Sequence, residues 1–336
     1  MERHAMRNVI VHRESLLMFK NTLSAALALG LLCGAAAVPA GEAPAERKIA
    51  AVVNGDAIYE SELAEGLPPK LFGSTLKGLK TMKLERAMTR VMVRHFLTQQ
   101  QIKVADSVVD EQIAELRKNP PPAPCTCCVY TSLEDYLTGG LYTLAEYREI
   151  LRNDTGMNQY VEQMWLKSCP DEAARVKLVA GQRAGLEAQY LKLWHIFFSG
   201  AASNAPPGTP PTAQRAEAAW QRLQKGEAFA DLAKELSDDK ASIPEGGSLG
   251  IVDRESSPFG AATMAATLAA LKPGTYSKPV ETLWGYHIFR REALTDADIL
   301  KILKDRFMED KGNETMKTLR ETAKVQCAAG YESVRP

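Results

Sequence analysis

Pro279-Val280-Glu281-Thr282-Leu283-Trp284-Gly285-Tyr286-His287-Ile288-Phe289 closes a segment that opens with Trp194-His195-Ile196-Phe197-Phe198. Each run sets a histidine among aromatic and β-branched side chains, the composition of a buried strand. Between them the chain carries, in order, Gly226-x-x-Phe229-x-x-Leu232-Ala233, then Ser237-Asp238-Asp239, then Gly246-Gly247-Ser248-Leu249-Gly250, then Leu271-Lys272-Pro273-Gly274-x-x-Ser277. A lone glycine cluster is only a turn signal. Several in one order, bracketed by two histidine strands, outline one compact domain of about a hundred residues.

The chain has 336 residues, 45% hydrophobic and 24% charged. That composition is ordinary for a globular protein, and the length suggests two domains. Lys plus Arg and Asp plus Glu both number 41, with no long basic run. Nucleic acid is therefore not expected as a partner, because neutralising phosphates needs clustered cations.

Lys20 precedes an uncharged, Leu- and Ala-rich run from Asn21 to Ala40, ending in Val38-Pro39-Ala40. This pattern predicts a signal peptide over residues 1–40 with cleavage near Ala40, and hence a periplasmic protein. The run is just long enough to span a bilayer, so an uncleaved inner-membrane anchor stays open. The first seventeen residues are long and charged for a signal n-region, which makes Met18 an alternative start. Cys33 follows the bulky Leu32, against lipidation.

Ile49-Ala-Ala-Val-Val53, Asn54-Gly55 and Ala57-Ile58 read as strand, tight turn and strand. Apolar periodicity then predicts a long helix over Leu76–Gln101 and shorter ones over Val104–Leu116, Leu133–Leu137, Leu144–Leu151, Tyr160–Leu166 and Ala173–Leu191. After the histidine segment, Thr295 with Asp298 three residues on can cap a last helix through Ile299, Leu303, Phe307, Met316 and Leu319, interrupted or bent near Gly312.

The registered order of motifs from Leu193 to Glu292 resembles the parvulin (PpiC, rotamase) family of peptidyl-prolyl cis-trans isomerases. With the Val-Asn-Gly opening, the helical region and the closing helix, the whole looks like the SurA-type and PrsA-type exported foldases. The resemblance implies an α+β fold: an antiparallel four-stranded sheet flanked by helices over residues 193–292, inserted in a helical chaperone-like domain of residues 46–190. A C-terminal helix, residues 295–327, would pack back on that domain. It further implies an isomerase and chaperone acting on unfolded or partly folded exported polypeptides, with no cofactor and no metal; a homodimer stays open. The alternative is a non-catalytic holdase or secretion-accessory protein whose parvulin module only binds peptide. Met82, Met88 and Met92 offer adaptable surface for holding clients, although core packing fits them equally.

Rotation about an Xaa-Pro bond faces a barrier of about 18–20 kcal/mol, and a catalyst lowers it by binding the twisted amide better than either planar form. In parvulins two histidines hydrogen-bond across the sheet floor; here they would be His195 and His287, orienting the site rather than moving protons. Two core histidines without a mechanistic role fit the same pattern. Asp239 falls where the family carries Cys or Asp and would face the substrate carbonyl or tune the local field; an exposed loop acid is the plain alternative. Thr282 matches a family threonine beside the second histidine. For the proline seat the family implies Leu249, with Met264 where it usually has Phe, and Phe259 as an aromatic wall. Met264 and Leu268 also fit the core side of a short helix.

No Lys or Arg occurs from Leu193 to Gln214, where the phosphopeptide-specific members of the family carry a basic cluster; no phosphopeptide preference is expected. Cys125, Cys127, Cys128, Cys169 and Cys327 lie beyond the signal. The Cys-x-Cys-Cys spacing is unlike the common zinc knuckles, and a disulfide from the 125–128 loop to Cys169 is expected instead.

Overall fold

The computed structural model describes residues 48–69, 73–121, 130–200, 211–255 and 262–336. The signal segment, Cys125, Cys127, Cys128 and Phe259 lie outside the described residues. The chain divides into two compact units, one running to Tyr160 and joined by Gly312–Pro336, the other Val161–Lys311.

The first unit opens with β1 (Ile49–Val53) and β2 (Asp56–Tyr59), paired antiparallel. Asn54 and Gly55 turn between them at φ of 52° and 98°, which is why Asn-Gly favours this hairpin. α1 (Glu60–Ala64), α2 (Gly73–Gln99), α3 (Asp106–Lys118), α4 (Leu133–Gly140) and α5 (Leu144–Ser168) follow. Leu84, Met88 and Met92 of α2 pack on Ala51 and Val53 of β1, so Met88 and Met92 are core side chains and not a surface for clients. A second cluster joins Val109, Ile113, Leu133, Leu137, Tyr147 and Leu151.

α5 is continuous where periodicity suggested two helices. Its polar middle serves packing: Asn153 Nδ2 donates to the Arg90 carbonyl at 3.0 Å, and a Cβ on Gly156 would lie 2.5 Å from Leu97 Cδ1. The buried Lys83 and Arg90 of α2 meet Glu146 at 3.2 and 3.4 Å, and Arg90 also reaches Glu149 at 3.2 Å. Such pairing is the condition for taking cations out of water.

In the second unit α6 (Glu172–Gln189) starts at Asp171, whose side chain accepts from Ala174 N at 2.8 Å. It passes at Tyr190 straight into β3 (Tyr190–Ser199), ending earlier than the Leu191 expected from sequence. Next come α7 (Thr212–Gln224), α8 (Phe229–Leu236), β4 (Ser248–Asp253), α9 (Ala262–Ala270), β5 (Val280–Thr282) and β6 (Gly285–Glu292). The strands form one antiparallel sheet in the order β4-β3-β6-β5. This is the expected α+β class with its four-stranded sheet.

Side-chain alternation divides that sheet. Ile196, Phe198 and Ile288 bury against α7 and α8, while Leu191, Leu193, Val280 and Phe289 bury against Met264 and Leu268 of α9.

α10 (Asp296–Thr322) begins in a reciprocal cap, Asp298 N donating to Thr295 Oγ1 at 3.1 Å and Thr295 N to Asp298 Oδ2 at 2.9 Å. It runs through Gly312 without interruption; one glycine inside a helix lowers its stability by only ~1 kcal/mol against Ala. Ile299 and Ile302 join the core of the second unit, Met316 and Leu319 that of the first. β7 (Val325–Cys327) then pairs with β1, completing a three-stranded sheet β2-β1-β7 with a strand the sequence reading lacks.

Cys169 is a buried free thiol, so the expected bridge to it is not formed; it packs as a small apolar side chain at the end of α5. Cys327 is also free. Among the described residues no three His, Cys, Asp or Glu side chains gather as metal ligands, and no helix is long and apolar enough to cross a membrane.

Candidate functional site

On the α9 side of the sheet, four rings form one layer. His287 stacks between Phe197 and Phe289 with ring centroids 4.6 and 5.3 Å away, and the His195 ring lies 5.5 Å from it. The register explains the layer: Phe197 faces His287 and His195 faces Phe289 across the β3–β6 ladder. Two aromatic walls thus leave the imidazoles little room to turn.

Ring nitrogens and one carboxylate then line up. His195 Nε2 lies 2.8 Å from Asp239 Oδ2, and His195 Nδ1 lies 3.3 Å from His287 Nδ1. A carboxylate only accepts, so His195 carries its proton on Nε2 and donates to Asp239. In the neutral ring Nδ1 is then a lone pair, and His287 must donate to it from its own Nδ1. Its Nε2 is left as an acceptor, buried and without a hydrogen-bond partner among the described residues.

The electrostatics agree with two neutral rings. Burial pushes His195 below its ordinary pKa against the pull of Asp239. Burial, then repulsion from His195, holds His287 down at about 4. Burial raises the Asp239 carboxyl, but hydrogen bonds from Ser242, His195 and Ala241 N outweigh it and leave the group below its usual range. At neutral pH one carboxylate thus fixes the tautomers of two imidazoles in series.

The loop carrying Asp239 is stitched to β3 on both sides of the layer. Phe197 N donates to Ser237 Oγ at 3.1 Å, Asp238 N to Phe197 O at 2.7 Å and Ser199 N to Asp238 Oδ2 at 2.8 Å. Gly247 holds the neighbouring edge: its carbonyl accepts from His195 N at 2.7 Å, and a Cβ there would sit 2.3 Å from His195 O. The sequence reading placed Ser237 and Gly247 only within motifs; their work as supports for Asp239 and His195 appears in three dimensions alone.

The remaining expected site residues divide. Leu249 is half-buried against the cluster that holds Phe289, beside the ring layer. Met264 belongs to that cluster but is only 2% exposed, packed with Leu268 on the core side of α9. Thr282 sits in the turn between β5 and β6, its Oγ1 donating to Gly285 O at 3.1 Å and accepting from Trp284 N at 3.3 Å. The residue facing His287 across that ladder is Val280. The structure therefore brings His195, Asp239 and His287 together with Leu249 at their edge, and assigns the Thr282 hydroxyl to the turn.

Residues 195–293 match the family model described as the PPIC-type PPIase domain, a rotamase. Similar proteins include the foldase protein PrsA of Clostridium kluyveri, 46% identical over 79 residues, which are 24% of this chain and 23% of that one. The foldase protein PrsA of Caldanaerobacter subterraneus is 40% identical over 107 residues, 30% of this chain and 33% of its own. The chain thus spans about a third or less of these curated relatives' length. The crystal structure of PrsA from Bacillus subtilis covers 83% of this chain and 93% of its own at 21% identity, with a TM-score of 0.39. The sequence likeness to these relatives rests on a minor part of the chain.

Proposed function

We propose that this chain is a peptidyl-prolyl cis-trans isomerase acting on unfolded or partly folded polypeptides after export. The observation that carries the reading is the Asp239–His195–His287 chain laid along the floor of a PPIC-type domain. Isomerisation breaks no bond. The site needs an apolar seat for the proline ring, which the half-buried Leu249 and Phe197 supply, and fixed dipoles that favour the twisted amide over the planar one. The neutral imidazole pair provides dipoles whose direction is set before the substrate arrives. Asp239, with a partly exposed carboxylate, adds a fixed negative field at the mouth.

A protease-coupled assay of the full chain on Xaa-Pro peptides tests this. The wild type should accelerate isomerisation, and Asp239→Ala should lower kcat/KM by about ten- to a hundredfold, the effect of deleting a charge-assisted hydrogen bond. Activity at background in the wild type would overturn the reading. The buried Met264 favours the second reading, a peptide-binding module without useful catalysis, because a side chain held in the core contributes no wall to the proline seat. Peptide binding without turnover would establish it. Export through residues 1–40, and holding of clients on the helical unit with the 295–327 helix as its partner, belong to the same proposal; they draw on the sequence pattern and on the resemblance to exported foldases.

A further inference from the structure

Leu283 is 98% exposed and the adjacent Trp284 52% exposed, the largest apolar side chains left in water on the second unit's sheet. Single exposed hydrophobes are ordinary. An adjacent pair on a fixed turn is not. Thr282 Oγ1 bonds to Gly285 O and Trp284 N, and Gly200 N donates to Trp284 O at 2.7 Å. Gly285, at φ of 138°, lies so close to β3 that a Cβ would meet Phe198 O at 2.0 Å. The tip is therefore pinned to the sheet from both of its strands, and an apolar group held in place before binding loses little freedom when it binds.

Its position links it to the ring floor. Along β6 the α9 side of the sheet runs Arg291, Phe289, His287, Gly285, and the turn follows at once. Gly285 has no side chain, so nothing from β6 separates the His287 ring from the tip. Trp284 stands three residues from His287, about 10 Å at ~3.3 Å per residue. An extended polypeptide with its proline on the ring floor covers that distance in two or three residues.

We propose that the Leu283–Trp284 tip reads an apolar or aromatic side chain two or three residues from the client's proline, so that the preferred client is a hydrophobic segment around proline and not any Xaa-Pro bond. This rests on the isomerase reading only for where the proline sits. An aromatic anchor on a preorganised tip is the chemistry of a binding hot spot. Segments meant for a folded core carry such side chains, and they are exposed only while the client is unfolded.

The test uses the full chain and Ala-Pro peptides that differ only at the second and third positions from proline, carrying Phe or Leu against Ser. Turnover is read as kcat/KM and binding by calorimetry. The wild type should favour the Phe and Leu peptides by about three- to tenfold, the scale of one aromatic contact. In Leu283→Ser/Trp284→Ser the ratio should fall to about one. No preference in the wild type, or a preference that survives the double substitution, overturns the inference. Wild type that binds with the preference but turns nothing over leaves the tip standing and sinks the isomerase reading; equal turnover and equal binding of all peptides does the reverse.

Discussion

Two faces of one sheet are built from alternate residues of the same strands. Toward α7 and α8, Ile196, Phe198 and Ile288 are buried among Ala216, Ala219, Leu223 and Leu232, an apolar layer with no imidazole in it. One residue along, toward α9, His195, Phe197 and His287 stack and hydrogen-bond in a layer that ends on the carboxylate of Asp239. Ten residues of β3 thus specify a core and a site together, because a period of two separates them completely. Stability and activity should then respond to different substitutions, even between neighbours in sequence.

The largest expected effect is on the closed face. Phe198→Ala should destabilise the second unit by about 3–5 kcal/mol, the range for emptying a well-packed aromatic site, read as a lower denaturant midpoint. Phe197→Ala, on the half-buried open face, should cost under about 1.5 kcal/mol. Equal losses at the two positions would mean that the faces are not energetically distinct.

A smaller effect should follow acidification. His287 is held at about 4 in the folded chain against an ordinary 6.5. Between those values the unfolded chain binds a proton that the folded chain refuses, so the contribution is complete above about pH 6.5 and is lost as pH falls toward 4. The loss should be about 3 kcal/mol in unfolding free energy, and His287→Leu should flatten that part of the curve. A profile that is just as steep in His287→Leu would place the pH dependence elsewhere and break the assignment of a neutral ring pair to the open face.

The smallest effect concerns phosphate. Arg215, the first cation after the uncharged 193–214 stretch, belongs to the closed face: its guanidinium pairs with both oxygens of Asp238 at 3.1 Å and lies 5.2 Å from the centre of the Phe198 ring. A cation so engaged is a poor partner for a substrate phosphate. Phosphoserine-Pro and Ser-Pro peptides should give kcat/KM values within about twofold of each other, against the factor of ten that each 1.4 kcal/mol would supply. A strong preference for the phosphopeptide would show Arg215 turning toward the open face.

The legible parts of this chain are those in which local chemistry fixes local geometry. Asn54-Gly55 could only turn one way, Thr295 and Asp298 could only cap, and the two histidine runs alternate as strands must. Asp239 was legible as a candidate beside the two histidines, but its bond to His195 was not, because the two meet through a loop stitched to β3 by Ser237 and Asp238. Asn153 and Gly156 imitate a helix break in sequence, yet they serve contacts with α2, which periodicity within one segment does not register. Thr282 and Met264 were assigned by resemblance. A hydroxyl can serve a turn as well as a histidine, and a methionine a core as well as a seat. Leu283 and Trp284 passed unnoticed because apolar residues in a strand-like run read as buried; only their place at the tip exposes them.

β7 closes its ladder with β1, and Lys324 N donates to Asn54 Oδ1 at 2.9 Å across 270 residues of chain. The second unit, Val161–Lys311, is one uninterrupted stretch. A chain made from its N-terminus therefore exposes β1 and β2 long before their third strand exists, while every residue of the middle unit is already available to collapse. The first unit is the slow step, since it must wait for its most distant contact. For as long as it waits, the sheet edge on β1 is open.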